Sequence, residues 1–234
     1  MKIMNASRRN FLRGLGGIAG IGAAALIWPA VPGASEKKET APGVLPVEDL
    51  MREHGVLSRI LLIYEEITAR IKARRDVPAG ALAAAAGIVH NFIENYHEKN
   101  EENYIFPRCE KKGRLKDLVG TLRAQHEAGR RLTQFILDHA DDPLFSRPDI
   151  GKQVADNIGT FTRMYRPHKA REDTVLFPAF HDIISSSEYS ELGEKFEGEE
   201  HRLFGKNGFE NIAAKTAGIE KLLGINDLGK FTPR

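Results

Sequence analysis

The sequence HEKNEENYIFP, residues 97–107, recurs later in the chain as HKAREDTVLFP, residues 168–178. Both copies follow the pattern HxxxE(E/D)xx(I/L)FP, in which a glutamate stands four positions after a histidine. Residues four apart on an α-helix differ by only about 40° in direction and about 6 Å in height. His97 and Glu101 should therefore point to the same side of one helix, and His168 and Glu172 to the same side of another.

Each copy is preceded by a further histidine at an almost constant distance. His54 stands before the first copy and His126 before the second, so the chain is written H-x42-HxxxE followed by H-x41-HxxxE. This arrangement predicts two helical hairpins, each of which brings one histidine opposite a His/Glu pair. Two independent copies make coincidence a poor explanation.

Apolar residues recur every three or four positions after residue 47, which predicts helices rather than strands. Four long helices with short connections indicate an all-α, up-down-up-down four-helix bundle over residues 47–185. The remainder, 186–234, reads as a C-terminal helical extension with two shorter helices. The predicted helices are about 47–75, 79–106, 115–139, 148–177, 188–204 and 209–223.

Such a bundle could bring four imidazoles and two carboxylates together on its axis. A buried carboxylate without a partner costs several kcal/mol, and a bound cation removes that penalty. Bundle cores hold metal ions in this manner. Six nitrogen and oxygen donors without a thiolate favour iron, manganese or zinc. A network of buried ion pairs without metal is the alternative.

The composition excludes several other classes of protein. Charged residues make up 28% and hydrophobic residues 41% of the 234 positions, unlike a disordered chain or a polytopic membrane protein. The one cysteine, Cys109, cannot form an intramolecular disulfide. The net charge of +2 gives no reason to expect nucleic acid as a partner.

The first 34 residues have the layout of an export signal. Basic residues precede an apolar run from Leu15 to Ile27, and Ser7-Arg8-Arg9-Asn10-Phe11-Leu12 resembles the twin-arginine signal closely. Residues 35–46 read as a linker. We therefore predict a periplasmic or cell-envelope protein with no membrane span in its mature form. An uncleaved N-terminal anchor is the alternative.

The repeated motif resembles the hemerythrin-like, or HHE cation-binding, family over about residues 47–185. The resemblance implies a four-helix bundle around two non-heme iron ions with an oxo or hydroxo bridge; manganese or zinc would also suit the donors. On the matching positions it implies terminal ligands at His54, His97, His126 and His168. Glu101 and Glu172 would be the bridging carboxylates.

The sequence departs from the oxygen-carrying hemerythrins at one ligand. Those proteins have a histidine pair four apart on the third helix, whereas His126 has Arg130 at that spacing. Further ligand candidates are His90, His201, Glu98 and Asp173. His90 could instead be a hydrogen-bonded core histidine, His201 a surface residue and Glu98 a solvated one.

The resemblance leaves three functions open. The first is a metal protein that binds, senses or reacts with dioxygen, nitric oxide or peroxide. The second is an enzyme, a ferroxidase or peroxidase that detoxifies iron or peroxide. The third is an interaction module in which metal is only structural. The sequence does not indicate a protein partner.

Overall fold

Six helices form the fold of the computed structural model, which describes residues 45–140 and 147–233. No strand occurs within those residues, so the predicted all-α class is confirmed. The predicted export signal and most of the predicted linker lie outside the described residues. A short 3₁₀ turn, Leu228–Phe231, follows the last helix.

The first helix, α1, is Pro46–Lys72. Pro46 occupies the first turn, where its missing N–H has no helical acceptor to lose. Acidic residues near its beginning and basic residues near its end complement the helix dipole. One face of α1 is apolar almost throughout, and His54 interrupts that buried face.

The second helix, α2, changes its winding along its length. It consists of Ala81–Ile88, a π-helical segment Val89–His97, one α-turn Glu98–Asn100, a second π-helical segment Glu101–Ile105, and Phe106–Lys111. Pro107 explains the second π segment, because proline cannot donate to the fourth preceding carbonyl and its ring would clash with it. The wider turn of a π segment removes that conflict.

The third helix, α3, is Lys116–Asp138. The fourth, α4, runs from Pro148–Arg171 through a π segment, Glu172–Leu176, into Phe177–His181. The π segment again begins at the motif glutamate and precedes the Phe-Pro pair. The two copies of the motif therefore share their backbone winding as well as their residues.

The C-terminal extension contains α5, Ser186–Phe204, and α6, Gly208–Leu223. Arg59 of α1 donates to both carboxylate oxygens of Glu220, at 2.8 and 2.7 Å, and thereby joins α6 to α1. Tyr189 donates to Glu48 at 2.8 Å and joins α5 to the beginning of α1. None of the described helices is long and apolar enough to cross a membrane.

Two helices extend beyond their predicted ends. We predicted the end of α2 at Phe106 and that of α4 at Phe177, whereas they reach Lys111 and His181. The Phe-Pro pair does not end either helix, because the preceding π segment makes room for the proline ring.

Apolar side chains form two clusters, and a polar layer lies between them. Along α1, Leu50 belongs to one cluster and Leu57 to the other, with His54 between them. Along α4, Tyr165 and Leu176 flank the motif in the same way. The layer is therefore sealed by packed side chains at both ends.

Candidate metal centre

The six donors predicted from the repeated motif all lie in this polar layer. They form two triads whose potential ligand atoms lie within 4.8 Å of one another. All six side chains are buried. The triads are His54, His97 and Glu101, and His126, His168 and Glu172.

Each triad is built around a pair of imidazoles that face one another. The Nε2 atoms of His54 and His97 are 3.1 Å apart, and those of His126 and His168 are also 3.1 Å apart. Each pair comes from a single hairpin, as the spacing of the histidines predicts.

Every one of these imidazoles is fixed through its other nitrogen. The Nδ1–H groups donate to oxygen atoms, His54 to Asp173 at 2.6 Å, His97 to Glu53 at 2.8 Å, His126 to Glu102 at 3.1 Å and His168 to Gln125 at 2.9 Å. Carboxylate and amide oxygens only accept hydrogen bonds, so the proton of a neutral imidazole is held at Nδ1. The Nε2 lone pairs then point into the layer, where a metal ion could accept them.

The protonation of the imidazoles depends on their surroundings. Burial, together with the neighbouring His54 ring, lowers the pKa of His97 well below its usual value. Burial also lowers the pKa of His126. At His54 burial acts in the same direction, but the hydrogen bond to Asp173 and the nearby carboxylate of Glu172 outweigh it and raise the pKa. A proton therefore competes with a cation more effectively at His54 than at His97 or His126.

Glu101 and Glu172 lie between the two imidazole pairs. One oxygen of Glu101 is 3.6 Å from Nε2 of His97, and the other is 3.5 Å from Nε2 of His126. One oxygen of Glu172 is 3.3 Å from Nε2 of His54, and the other is 3.1 Å from that of His168. Each carboxylate thus has one oxygen beside each triad.

Neither carboxylate is satisfied by the protein. Both oxygens of Glu101 and both of Glu172 are buried, and within residues 45–140 and 147–233 none has a partner with hydrogen-bond geometry despite the nearby nitrogens. Burial, and then the nearby carboxylate of Glu172, raises the pKa of Glu101 well above its usual value. Burial opposes ionisation of Glu172 as well, but His168 and His54 lower its pKa.

The two copies of the motif support one another across the bundle. Asp173, five positions after His168, holds His54 of the other hairpin, and Glu102, five positions after His97, holds His126. The phenylalanine of each motif copy likewise packs on a histidine of the other hairpin. Phe177 stacks on His54 with centroids 5.7 Å apart, and Phe106 stacks on His126 at 5.5 Å.

Sequence reasoning missed three of the four residues that hold Nδ1, namely Glu53, Glu102 and Gln125. Two signals could have found them. Glu53 and Gln125 each stand directly before the first histidine of their hairpin, and Glu102 occupies the shared (E/D) position of the motif. Asp173, predicted as a possible ligand, lies on the Nδ1 side of His54.

Glu98 lies behind His126 rather than between the triads. Its nearest imidazole atom is Nδ1 of His126, at 3.9 Å. Tyr165 donates to Glu98 at 2.6 Å and Arg130 donates to it at 2.8 Å, so the expectation that Glu98 is solvated is wrong. Arg130 also donates to Glu102 at 2.5 Å. The position where the oxygen-carrying hemerythrins have a second histidine on the third helix is therefore occupied by an arginine that donates to two carboxylates.

Two other candidates lie away from the triads. His90 is partly exposed and contacts Glu94 and Asn95. It does not share the face of His97, as seven-residue spacing on an α-helix would require, because the intervening turns are π-helical. His201 is also partly exposed, and its nearest acidic group is Glu197 at 4.0 Å.

The donor set fits a divalent cation. Four imidazole nitrogens with free lone pairs and four unpartnered carboxylate oxygens would be a strongly unfavourable arrangement in an apolar interior without a positive charge. Iron, manganese and zinc all accept such nitrogen and oxygen donors.

Comparison with known proteins agrees with this geometry. Residues 45–180 match the profile of the Hemerythrin HHE cation binding domain, which is more than half of the chain. The chain belongs to the hemerythrin HHE cation-binding family. This assignment confirms the resemblance drawn from the repeated motif and accounts for a helical bundle with His/Glu clusters in its core.

Two mycobacterial relatives also match beyond the bundle. The chain is 46% identical over 208 residues to Uncharacterized protein Mb2018 of Mycobacterium bovis and, to the same extent, to Uncharacterized protein Rv1995 of Mycobacterium tuberculosis. The matched region covers 88% of this chain and 82% of each relative. No solved structure matches the chain significantly.

Proposed function

We propose that this protein holds two metal ions, iron in the cell, and binds or reacts with dioxygen or a related small molecule such as nitric oxide or peroxide. One ion would be held by His54, His97 and Glu101, and the other by His126, His168 and Glu172. Glu101 and Glu172 would bridge the two ions, because each has one oxygen beside each imidazole pair.

The observation that carries this proposal is the orientation of the four imidazoles. Their Nδ1 atoms are all engaged with oxygens, so their free nitrogens face one another and the unpartnered carboxylates. A purely structural network of ion pairs would place protons or cationic side chains among these atoms. Bound iron would supply reversible electron transfer to a small oxidising molecule.

The surrounding residues would hold this site rigid and dry. Phe106 and Phe177 cover His126 and His54, and the two apolar clusters exclude water from both ends of the layer. Arg130 donates to both Glu98 and Glu102, so its positive charge offsets part of the negative charge near the metal positions.

An oxidase or peroxidase acting on iron or peroxide is the second candidate. The described donor set offers two imidazoles for each ion and places Arg130, rather than a further histidine, one turn after His126. A centre with fewer nitrogen and more oxygen ligands is harder to keep reduced, which favours turnover over reversible binding. A third function, a structural metal site in an interaction module, predicts no redox chemistry.

Export by the twin-arginine route remains part of the proposal and depends on the sequence of residues 1–34 alone. Those residues lie outside the described part of the chain. Expression of the full chain with Arg8 and Arg9 both replaced by lysine, followed by fractionation, tests this point. The variant should be retained in the cytoplasmic fraction, and continued export would refute the twin-arginine assignment.

The function is tested by metal content and by the visible spectrum of anaerobically purified protein. We expect two irons per chain and a new absorption band when dioxygen is admitted. A band that reverses on removing dioxygen supports a carrier or sensor, and one that decays irreversibly to the ferric state supports an oxidase or peroxidase. Two zinc ions, or a folded chain that binds no metal, would refute the redox proposal.

A further inference from the structure

The two metal positions differ in the residues behind their histidines, although their facing sides are alike. In both triads the Nε2 atoms are 3.1 Å apart and a glutamate stands four residues after a histidine. The difference begins at the equivalent positions 53 and 125, directly before the first histidine of each hairpin. The first is Glu53 and the second is Gln125.

The first triad is supported by two carboxylates. Asp173 accepts from His54 at 2.6 Å, and Glu53 accepts from His97 at 2.8 Å. Glu53 is as deeply buried as the histidine it holds, so its hydrogen bond is little weakened by water. A carboxylate partner draws the Nδ1 proton strongly and makes Nε2 a better electron donor.

The second triad has weaker support. The partner of His168 is the neutral amide oxygen of Gln125, at 2.9 Å. The partner of His126 is Glu102, at the longer distance of 3.1 Å. Glu102 also accepts from Arg130 at 2.5 Å and from Lys99 at 2.7 Å, so two cations share its negative charge.

We infer that the two positions bind metal unequally, and that Glu53 is the residue that makes the His54–His97 position the tighter one. This inference rests on the proposed dinuclear site. Residues that hold a ligating histidine typically change metal affinity by about 10- to 100-fold when replaced. We therefore expect the two dissociation constants to differ by about 10-fold or more.

The inference is tested by titrating the metal-free full chain with Zn²⁺, which has no redox chemistry, in a calorimeter. The wild type should bind two ions in two separate steps. Nitrogen NMR of the histidines with one equivalent of Zn²⁺ then identifies the first position, and Nε2 of His54 and His97 should shift before the other pair.

Reciprocal variants assign the difference to a single side chain. Glu53→Gln should weaken the first step by about 10- to 100-fold and bring the two steps together. Gln125→Glu should strengthen the second step. The control is Glu65→Gln, on the same helix as Glu53, because Glu65 is exposed and pairs with Arg166 away from the layer; both steps should remain as in the wild type.

The outcomes separate this inference from the proposed function. Two equal steps in the wild type, first occupation of the His126–His168 pair, or unchanged steps in Glu53→Gln would overturn the inference while leaving a dinuclear site intact. Absence of any Zn²⁺ binding at these histidines would overturn the proposed function itself. If Gln125→Glu fails to fold, Glu53→Gln and the wild-type NMR experiment still decide.

Discussion

Gly129 in the middle of α3 is expected to be essential for packing beside the metal centre. A Cβ atom at this position would lie 2.0 Å from the hydroxyl oxygen of Tyr165 and 2.8 and 2.9 Å from two carbons of its ring. The ring cannot easily move, because it is buried against Phe161 and its hydroxyl donates to Glu98 at 2.6 Å. Gly129→Ala should therefore displace Tyr165 and break this hydrogen bond.

The size of the effect follows from three contributions. Alanine is preferred to glycine within a helix by about 1 kcal/mol, which favours the variant. Forcing an extra methyl group into a packed core costs about 1–3 kcal/mol. Removing the hydrogen bond of Tyr165 from the buried Glu98 costs about 1–3 kcal/mol. The free energy of unfolding should therefore fall by about 3 kcal/mol.

Urea unfolding of the metal-free protein, followed by circular dichroism, measures this change. Gly120→Ala is the matched control, because Gly120 lies in the same helix and a Cβ there would meet nothing within 4 Å. That variant should gain about 0.5–1 kcal/mol. In a Tyr165→Phe background, Gly129→Ala should cost less than in the wild type. If Gly129→Ala proves as stable as Gly120→Ala, the reasoning about this contact is wrong.

Three further predictions concern charge in the polar layer. In metal-free protein at pH 8, Glu101→Gln should raise the free energy of unfolding by about 1–3 kcal/mol, because a buried and unpartnered carboxylate is removed. The same variant should bind Zn²⁺ more weakly than the wild type. A metal-free variant that is only as stable as the wild type would contradict this account. The contribution of Glu101 to the stability of the metal-free chain should fall as the pH rises above about 4.5, since the pKa of Glu101 is raised on folding and the proton that stabilises the folded state is lost as the pH passes that raised value. The stability difference between the wild type and Glu101→Gln measures this contribution apart from those of His97 and His126, whose lowered pKa values act in the opposite direction. The increase in Tm that Zn²⁺ produces should therefore be larger at pH 8 than at pH 5, and an increase that shrinks with pH would exclude proton–metal competition. Arg130→Met should lower the free energy of unfolding in urea by about 2 kcal/mol. Breaking a fully buried ion pair costs about 3–5 kcal/mol, and the loss is smaller here because the arginine is partly exposed. Adding Glu98→Gln should recover part of the loss, and no recovery would show that Glu98 is not the carboxylate left unpaired.

The sequence was sufficient to predict the helices and the central His/Glu set. Helical periodicity and four-residue spacing report directly on which residues share a face, so His97 could be paired with Glu101, and His168 with Glu172, from their spacing alone. The repetition of the motif then identified the two hairpins.

The arrangement behind the histidines could not be predicted from the same spacing. Glu53 and Gln125 are neighbours of His54 and His126 in sequence, yet each holds a histidine on a different helix. Such contacts depend on how two helices are rotated against one another. The π segments add a second difficulty, because they change the angle per residue and displaced His90 from its expected face.

The crossing of the two motif copies has a consequence for how metal enters and leaves. Residues of the second copy hold and cover His54, and residues of the first copy hold and cover His126. Neither hairpin can form a finished site alone, because each supplies a hydrogen bond and a ring that hold a histidine of the other. Separation of the two hairpins should therefore disrupt both metal positions together, and metal should leave both positions as the bundle loses its tertiary structure on heating.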